Sequence, residues 1–156
     1  MRKTLIKESP TDTPADPGPW LNVESLASVE VTSESPGYPV ESVFAPEPGA
    51  GWHADAAGKQ VIRLVFDQLQ NVHRIQLRFS ETAAERTQEF VLEWAPAGGP
   101  LREIVRQQWN FSPVGATAEI EDYHVDLNGV SVLQLTINPD ITHGRAAASL
   151  SQWRIA

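Results

Sequence analysis

The chain has 156 residues, a length typical of one domain with a substantial core, and it contains no cysteine. Disulfides, thiolate nucleophiles and zinc sites of the cysteine type are therefore excluded. Twenty acidic residues against twelve basic ones give a net charge of -8, which opposes binding to the phosphates of nucleic acids and to anionic membranes.

The N-terminal residues 1–21 form a proline-rich lead-in, and residues 22–156 are assigned to a single domain. The stretch ESPTDTPADPGPW has few side chains to bury, so we expect it to be extended or disordered and to end on Trp20. Neither the start of the chain nor any later segment has the apolar run of a secretory signal or of a membrane span. We therefore expect a cytoplasmic protein.

Alternating apolar and polar residues predict strands in the first half of the domain. Val29 and Val31 indicate a short first strand. The stretches QVIRLVFD (60–67) and HRIQLRFS (73–80) alternate strictly, which is typical of half-buried strands. Because the intervening DQLQN is short enough for a hairpin turn, we expect these two strands to pair antiparallel.

The stretch SETAAERTQEFVLEW, which begins at Ser80, fits two different periods. Its glutamates recur every four residues, as on one face of a helix, whereas Phe90, Leu92 and Trp94 have the spacing of a strand. A helix would bring like charges together at i and i+4, and a strand keeps the three large apolar groups on one side. We predict a loop as far as Arg86 and a strand after it.

The second half of the domain repeats the strand pattern. LREIVRQQWNF has helical as well as strand spacing, and a strand is preferred there. EDYHVDL and VLQLTI alternate on either side of Asn128 and Gly129, the dipeptide most typical of a hairpin turn. Trp153 and Ile155 are placed facing the core. Together these segments predict an all-β, antiparallel β-sandwich of the jelly-roll kind.

Several motifs follow one another in a characteristic order along the domain. They comprise a loop tryptophan before an apolar strand, a second strand with spaced apolar residues, a strand that opens with Arg and continues with an aromatic, and an apolar-x-x-aromatic ending: Trp52 with 61–67; Val72, Ile75 and Leu77; Arg86 with Phe90; Leu150 with Trp153. In this order they resemble the discoidin, or coagulation factor type C, domain, which has a galactose-binding-like jelly roll. The resemblance covers about residues 22–156.

The resemblance also implies a structural calcium ion, because the family's loop before this tryptophan usually carries an Asp-Gly pair. Here the loop is APEPGAG, in which Glu47 is the only acid, whereas Ca²⁺ takes six to eight oxygen ligands. We therefore predict no cofactor beyond this weakly supported calcium. The family's two extracellular cysteines are also missing, which is consistent with an intracellular setting.

By the same resemblance, a sugar ligand would be held by loops at one end of the sandwich. Sugar binding needs an aromatic plate and polar groups that reach hydroxyls. The candidate ligand-binding residues are Trp94, Trp109, His53, Arg86, His143 and Arg145. The tryptophans and Arg86 have plainer alternatives: the two tryptophans can belong to the core or its rim. Arg86 can instead form an ion pair with Glu81 or Glu89.

Other chemistry is weakly represented in the sequence. His53 with Asp55, and His124 with Asp126, have the i, i+2 spacing of two metal ligands, but a metal site needs three or four. No catalytic residue is assigned, so the chain is predicted to be a non-catalytic binding module. Its expected partner is a carbohydrate, and the alternative is an intracellular protein–protein interaction module on the same fold.

Overall fold

The structure is a computed structural model that describes residues 19–142 and 145–156, and these contain eight strands and two short helices. The elements are α1 (Val23–Leu26), β1 (Ala27–Val31), a 3-10 helix (Val40–Phe44), β2 (Trp52–Ala57), β3 (Gln60–Ser80), β4 (Arg86–Pro96), β5 (Arg102–Phe111), β6 (Ala118–Asn138), β7 (Ala147–Leu150) and β8 (Gln152–Ile155). Most of the predicted lead-in lies outside the described residues.

The two long strands, β3 and β6, bend and contribute to both layers of a sandwich. The N-terminal half of β3 and the C-terminal half of β6 join β1, β4 and β5 in a five-stranded layer with the order β1-β3-β6-β4-β5. The other two halves pair with each other in the opposite layer, where the β3 half also pairs with β8, and β2 pairs with β7. Every pairing among the named strands is antiparallel. The prediction of an all-β jelly-roll sandwich is confirmed.

Both predicted hairpin turns inside these strands are wrong. DQLQN does not reverse the chain; β3 continues through it, with register shifts against β6 between Val65 and Arg74. β6 likewise continues through Asn128 and Gly129, where Gly129 has a φ of 69°. A bulge uses a positive-φ glycine to turn a strand without ending its ladder, and this is how the chain passes between layers. The Gly129 N–H donates to Asn71 Oδ1 (3.0 Å), which joins the two bends.

The strand interpretation of the ambiguous stretches is confirmed. β4 begins at Arg86 and its Phe90 and Leu92 are buried, with 1% and 0% of their surfaces exposed. The ring of Phe90 stacks on Phe79 of the opposite layer at a centroid distance of 5.3 Å. Burial of these large side chains between two layers outweighs the four-residue repeat of glutamates, because apolar burial contributes more than exposed i, i+4 contacts.

The loop before β2 is held by close packing. Trp52 is fully buried and its indole Nε1 donates to the carbonyl of Ser33 (2.8 Å). Gly51 has a φ of 75°, and a Cβ there would collide with the Leu150 carbonyl oxygen. A side chain at this position would therefore separate β2 from β7. His53 follows Trp52 directly, so the packing of Gly51 and Trp52 also fixes the position of its backbone.

Candidate functional site

A surface cleft of about 440 Å³ lies at the end of the sandwich where β3 and β7 finish. We call it the Glu81 cleft. Its polar lining consists of six residues: His53, Ser80, Glu81, Thr82, Ser149 and Ser151. Loops supply much of this lining because β3 ends at Ser80 and β4 does not begin until Arg86. Such a loop-built end is where a rigid sandwich most readily carries a binding site.

His53 lies on the rim of the Glu81 cleft. It is an exposed residue of β2 and sits directly opposite Ser149 of β7 in the ladder. The ring of Tyr38 lies 4.1 Å from the His53 ring, tilted by 42°. Tyr38 is itself 38% exposed. The imidazole on the rim of the cleft therefore packs against a partly exposed aromatic ring.

Glu81 places a carboxylate in the cleft, and hydrogen bonds from within the protein fix its orientation. Arg86 Nε donates to Glu81 Oε1 at 2.8 Å, and the Ala83 N–H donates to Oε2 at 3.1 Å. Burial raises the pKa of Glu81, but these hydrogen bonds and the charge of Arg86 outweigh it and leave the pKa below its usual value. Glu81 is therefore ionised at neutral pH, and its side chain remains 21% exposed.

Arg86, a predicted ligand-binding residue, directs its hydrogen bonds to other groups of the protein. It is 4% exposed, and its Nη1 donates to Gln88 Oε1 (3.1 Å) and to the Pro139 carbonyl (2.7 Å). Its guanidinium also lies 4.7 Å from the centre of the Phe111 ring. The alternative interpretation, an ion pair with Glu81, is the arrangement found. Arg86 therefore orients Glu81 from within the core.

A buried polar network continues behind Arg86 into the opposite layer. Gln88 Nε2 donates to Glu119 Oε1 at 3.3 Å. Burial, followed by a hydrogen bond to Glu121 and its negative charge, raises the pKa of Glu119 to about 8. Glu121 also accepts a hydrogen bond from the Tyr123 hydroxyl (3.0 Å). Two carboxyl groups can share a hydrogen bond only when one is protonated, so Glu119 holds a proton at neutral pH.

Sequence reasoning did not single out Glu119. The signal was present, because Tyr123, Val125 and Leu127 are the apolar positions of the alternating stretch EDYHVDL. Continuing the same two-residue period backward puts Glu121 and Glu119 on their side of the strand.

The two predicted tryptophans lie far from each other. Trp94 is opposite Arg102 at one end of the β4–β5 ladder, whereas Trp109 is opposite Gln88 near the other. Six residues of strand separate Trp94 from Gln88, which is about 20 Å. Both rings are partly buried against the core. They do not form one platform, and neither lines the Glu81 cleft.

Of the two remaining candidates, the structure describes only Arg145, which lies beside the same loop region. Arg145 is exposed and precedes Ala146, which lines the cleft. His143 lies outside the described residues. Over residues 19–142 and 145–156, no three His, Asp or Glu side chains converge as metal ligands would. No helix in that part of the chain is long and apolar enough to cross a membrane.

No family model matches the sequence, and no curated protein is similar to it. Solved structures do match. A pectin-binding carbohydrate-binding module is 15% identical with a TM-score of 0.57, covering 83% of this chain and 89% of that chain. The family 32 carbohydrate-binding module of C. perfringens NanJ, solved with galactose, is 14% identical with a TM-score of 0.59, covering 87% and 96%.

A third match is a chain in the structure of reduced XRCC1 bound to the DNA pol beta catalytic domain. It is 12% identical with a TM-score of 0.63, covering 88% of this chain and 98% of that chain. Identity is low in all three cases, so the common property is the arrangement of strands. The chain has the galactose-binding-like β-sandwich fold of the discoidin domains, as the order of its motifs predicts.

Proposed function

We propose that the chain is a non-catalytic carbohydrate-binding module whose ligand occupies the Glu81 cleft. The observation that carries the proposal is the cleft itself. It combines an ionised carboxylate, an imidazole and three serine hydroxyls at the loop end of the sandwich. The fold match to carbohydrate-binding modules supports the same conclusion.

The polar groups of the cleft suit the hydroxyls of a sugar. A carboxylate oxygen has two lone pairs, so Glu81 can accept from ligand hydroxyls while it keeps its bonds to Arg86 and Ala83. Hydrogen bonds to an ionised acceptor are stronger than neutral ones. Because Glu81 is already fixed by Arg86, little side-chain freedom is lost on binding. His53 and the exposed ring of Tyr38 would contact the same ligand from the rim.

A hydrolytic role has less support in this cleft. Glycoside hydrolysis ordinarily uses two carboxyl groups on either side of the scissile bond, one of them a general acid with a raised pKa. Glu81 is the one carboxylate among the described residues that line the cleft, and its pKa is lowered. It is therefore a poor proton donor at neutral pH.

The test is a glycan array followed by calorimetry with the best neutral sugar. His53→Ala should weaken binding roughly tenfold, because a lost hydrogen bond is worth about 1.4 kcal/mol. His124→Ala is the matched control: His124 is an exposed histidine of β6 that does not line the cleft, and its loss should leave affinity unchanged. A silent array, or an equal effect of the two substitutions, contradicts the proposal.

Protein binding is the second candidate function. Val114 is 95% exposed on the turn between β5 and β6, and Ile120 in β6 is 53% exposed. Exposed apolar side chains of this kind can anchor a partner protein, and one structure with the same fold contains a bound protein. A partner captured by the wild type and released by Val114→Asp, together with a silent glycan array, would favour this function.

A further inference from the structure

The loop between the 3-10 helix and β2 is where the discoidin resemblance implies a structural calcium ion. The loop turns the carbonyl oxygens of Ala45 and Pro46 toward the last strand, β8. Its one acidic side chain, Glu47, belongs to an exposed residue. Two carbonyls and one carboxylate fall well short of the six to eight oxygen ligands that Ca²⁺ takes.

The groups that face these carbonyls are hydrogen-bond donors. Gln152 is 4% exposed, and its Nε2 donates to Ala45 O at 3.0 Å and to Pro46 O at 3.1 Å. Arg154 Nη1 donates to Pro46 O at 3.0 Å. An amide N–H and a guanidinium point hydrogen atoms toward the oxygens that a metal would need, so the residues present do not fit calcium.

Arg154 is fixed between several groups. Its guanidinium lies 4.9 Å from the centre of the Trp20 ring, and the carboxylate of Glu47 interacts with its charge. The charge of the one acidic side chain in the loop is therefore felt by a cation that belongs to the protein. A guanidinium keeps its charge throughout the ordinary pH range, so Arg154 brings a permanent positive charge to this loop.

We propose that Gln152 and Arg154 replace the metal ion, and that their N–H groups hold the loop of residues 45–51 against β8 without calcium. Arg154 brings a positive charge to the Pro46 carbonyl, and the buried amide of Gln152 joins both carbonyls to one strand. Because this loop leads directly into Gly51, Trp52 and His53, the rim of the Glu81 cleft is ordered in the absence of the metal. The inference does not depend on which ligand the cleft binds.

The experiment is thermal unfolding of the full chain in EDTA and in excess CaCl₂. A protein that binds Ca²⁺ only when folded, at a calcium concentration of about 100 times Kd, gains roughly 5 to 10 °C in Tm for a chain of this size. We expect the wild type to show no such rise. A rise of this size overturns the proposal.

Variants test the replacement itself. Gln152→Glu removes both donated bonds and sets an anion against two carbonyl oxygens, so its Tm in EDTA should fall by about 5 °C or more. The matched control is Gln68→Glu, since Gln68 is an exposed residue of the β3 bend and the substitution makes the same charge change. A Gln152→Glu protein that melts like the control overturns the proposal.

Gln152→Glu can fail to fold at all, and Arg154→Met then decides the question. It preserves the aliphatic part of the side chain and removes the donated bond to Pro46, so a Tm several degrees lower than the wild type in EDTA is expected. An unchanged Tm for Arg154→Met counts against the replacement.

Discussion

Glu81 and Glu119 lie at opposite ends of one hydrogen-bonded chain, with Arg86 and Gln88 between them. At neutral pH Glu81 is ionised, whereas Glu119 is protonated and uncharged. Glu81 contacts the guanidinium directly and reaches the cleft, so its pKa is lowered. Glu119 is 1% exposed and faces Glu121, so burial and a like charge raise its pKa to about 8. Position relative to Arg86 and to solvent therefore decides which glutamate presents a charge to a ligand and which holds a proton.

The largest expected effect comes from removing the cation on which this comparison depends. Arg86→Met leaves Glu81 without its partner and leaves Gln88 Oε1 and the Pro139 carbonyl without a donor. Breaking a buried, hydrogen-bonded ion pair from one side costs about 3 kcal/mol or more of unfolding free energy. Urea denaturation measures the change.

Arg106→Met is the control for this prediction. Arg106 pairs with Glu89 and Glu103 on the surface, so its replacement should change the unfolding free energy little. Equal losses in the two variants would show that the Arg86 network is no more than a surface ion pair.

The second prediction concerns pH and Glu119. The pKa of this carboxyl is about 8 in the folded protein against an ordinary value of 4.5. Between these values the folded state holds a proton that the unfolded state has lost, so stability should fall as the pH rises from about 4.5 to about 8. Glu119→Gln supplies a permanent donor and should flatten this part of the profile.

Urea unfolding of both proteins at about pH 6 and about pH 8.5, on either side of the folded-state pKa, makes the comparison. Glu119→Gln should be more stable than the wild type at the higher pH. Identical pH profiles for the two proteins would mean that Glu119 does not hold its proton.

The smallest expected effect comes from the Tyr123 hydroxyl. Tyr123→Phe removes its hydrogen bond to Glu121 (3.0 Å) and leaves the ring packing in place. The expected loss is about 1 kcal/mol of unfolding free energy. Tyr38→Phe, at an exposed position, is the control and should be neutral; a loss in Tyr38→Phe alone would contradict the assignment.

The sequence predicted which side chains face the core better than it predicted where the chain reverses direction. Phe90 and Leu92 were placed correctly because alternation depends only on local side-chain direction. The hairpin at Asn128–Gly129 was wrong because a bulge and a turn can use the same positive-φ glycine. The hairpin at DQLQN, which has no glycine, was wrong because a short polar stretch can continue a bent strand as well as close a turn. What distinguishes them is pairing between strands that lie far apart in the chain.

Some of the candidate residues named from the sequence lie at or behind the cleft, and their role in binding stays a prediction. His53 was named as a polar loop residue and lines the cleft, and the ion pair of Arg86 with Glu81 was foreseen as an alternative. The placement of Trp94 and Trp109 together failed, because strand register separates the two ends of a hairpin that look equivalent in sequence. The cytoplasmic location, the domain boundaries and the role of His143 stay predictions.

The central claim is that a carbohydrate binds in the Glu81 cleft, and an NMR titration with the best sugar from the array tests it most directly. The account predicts that the signals of His53, Glu81 and Ser149 shift together and saturate with one dissociation constant, while those around Trp94 at the opposite end do not move. Saturable shifts confined to the Trp94 end, with His53 and Glu81 unchanged, would contradict it.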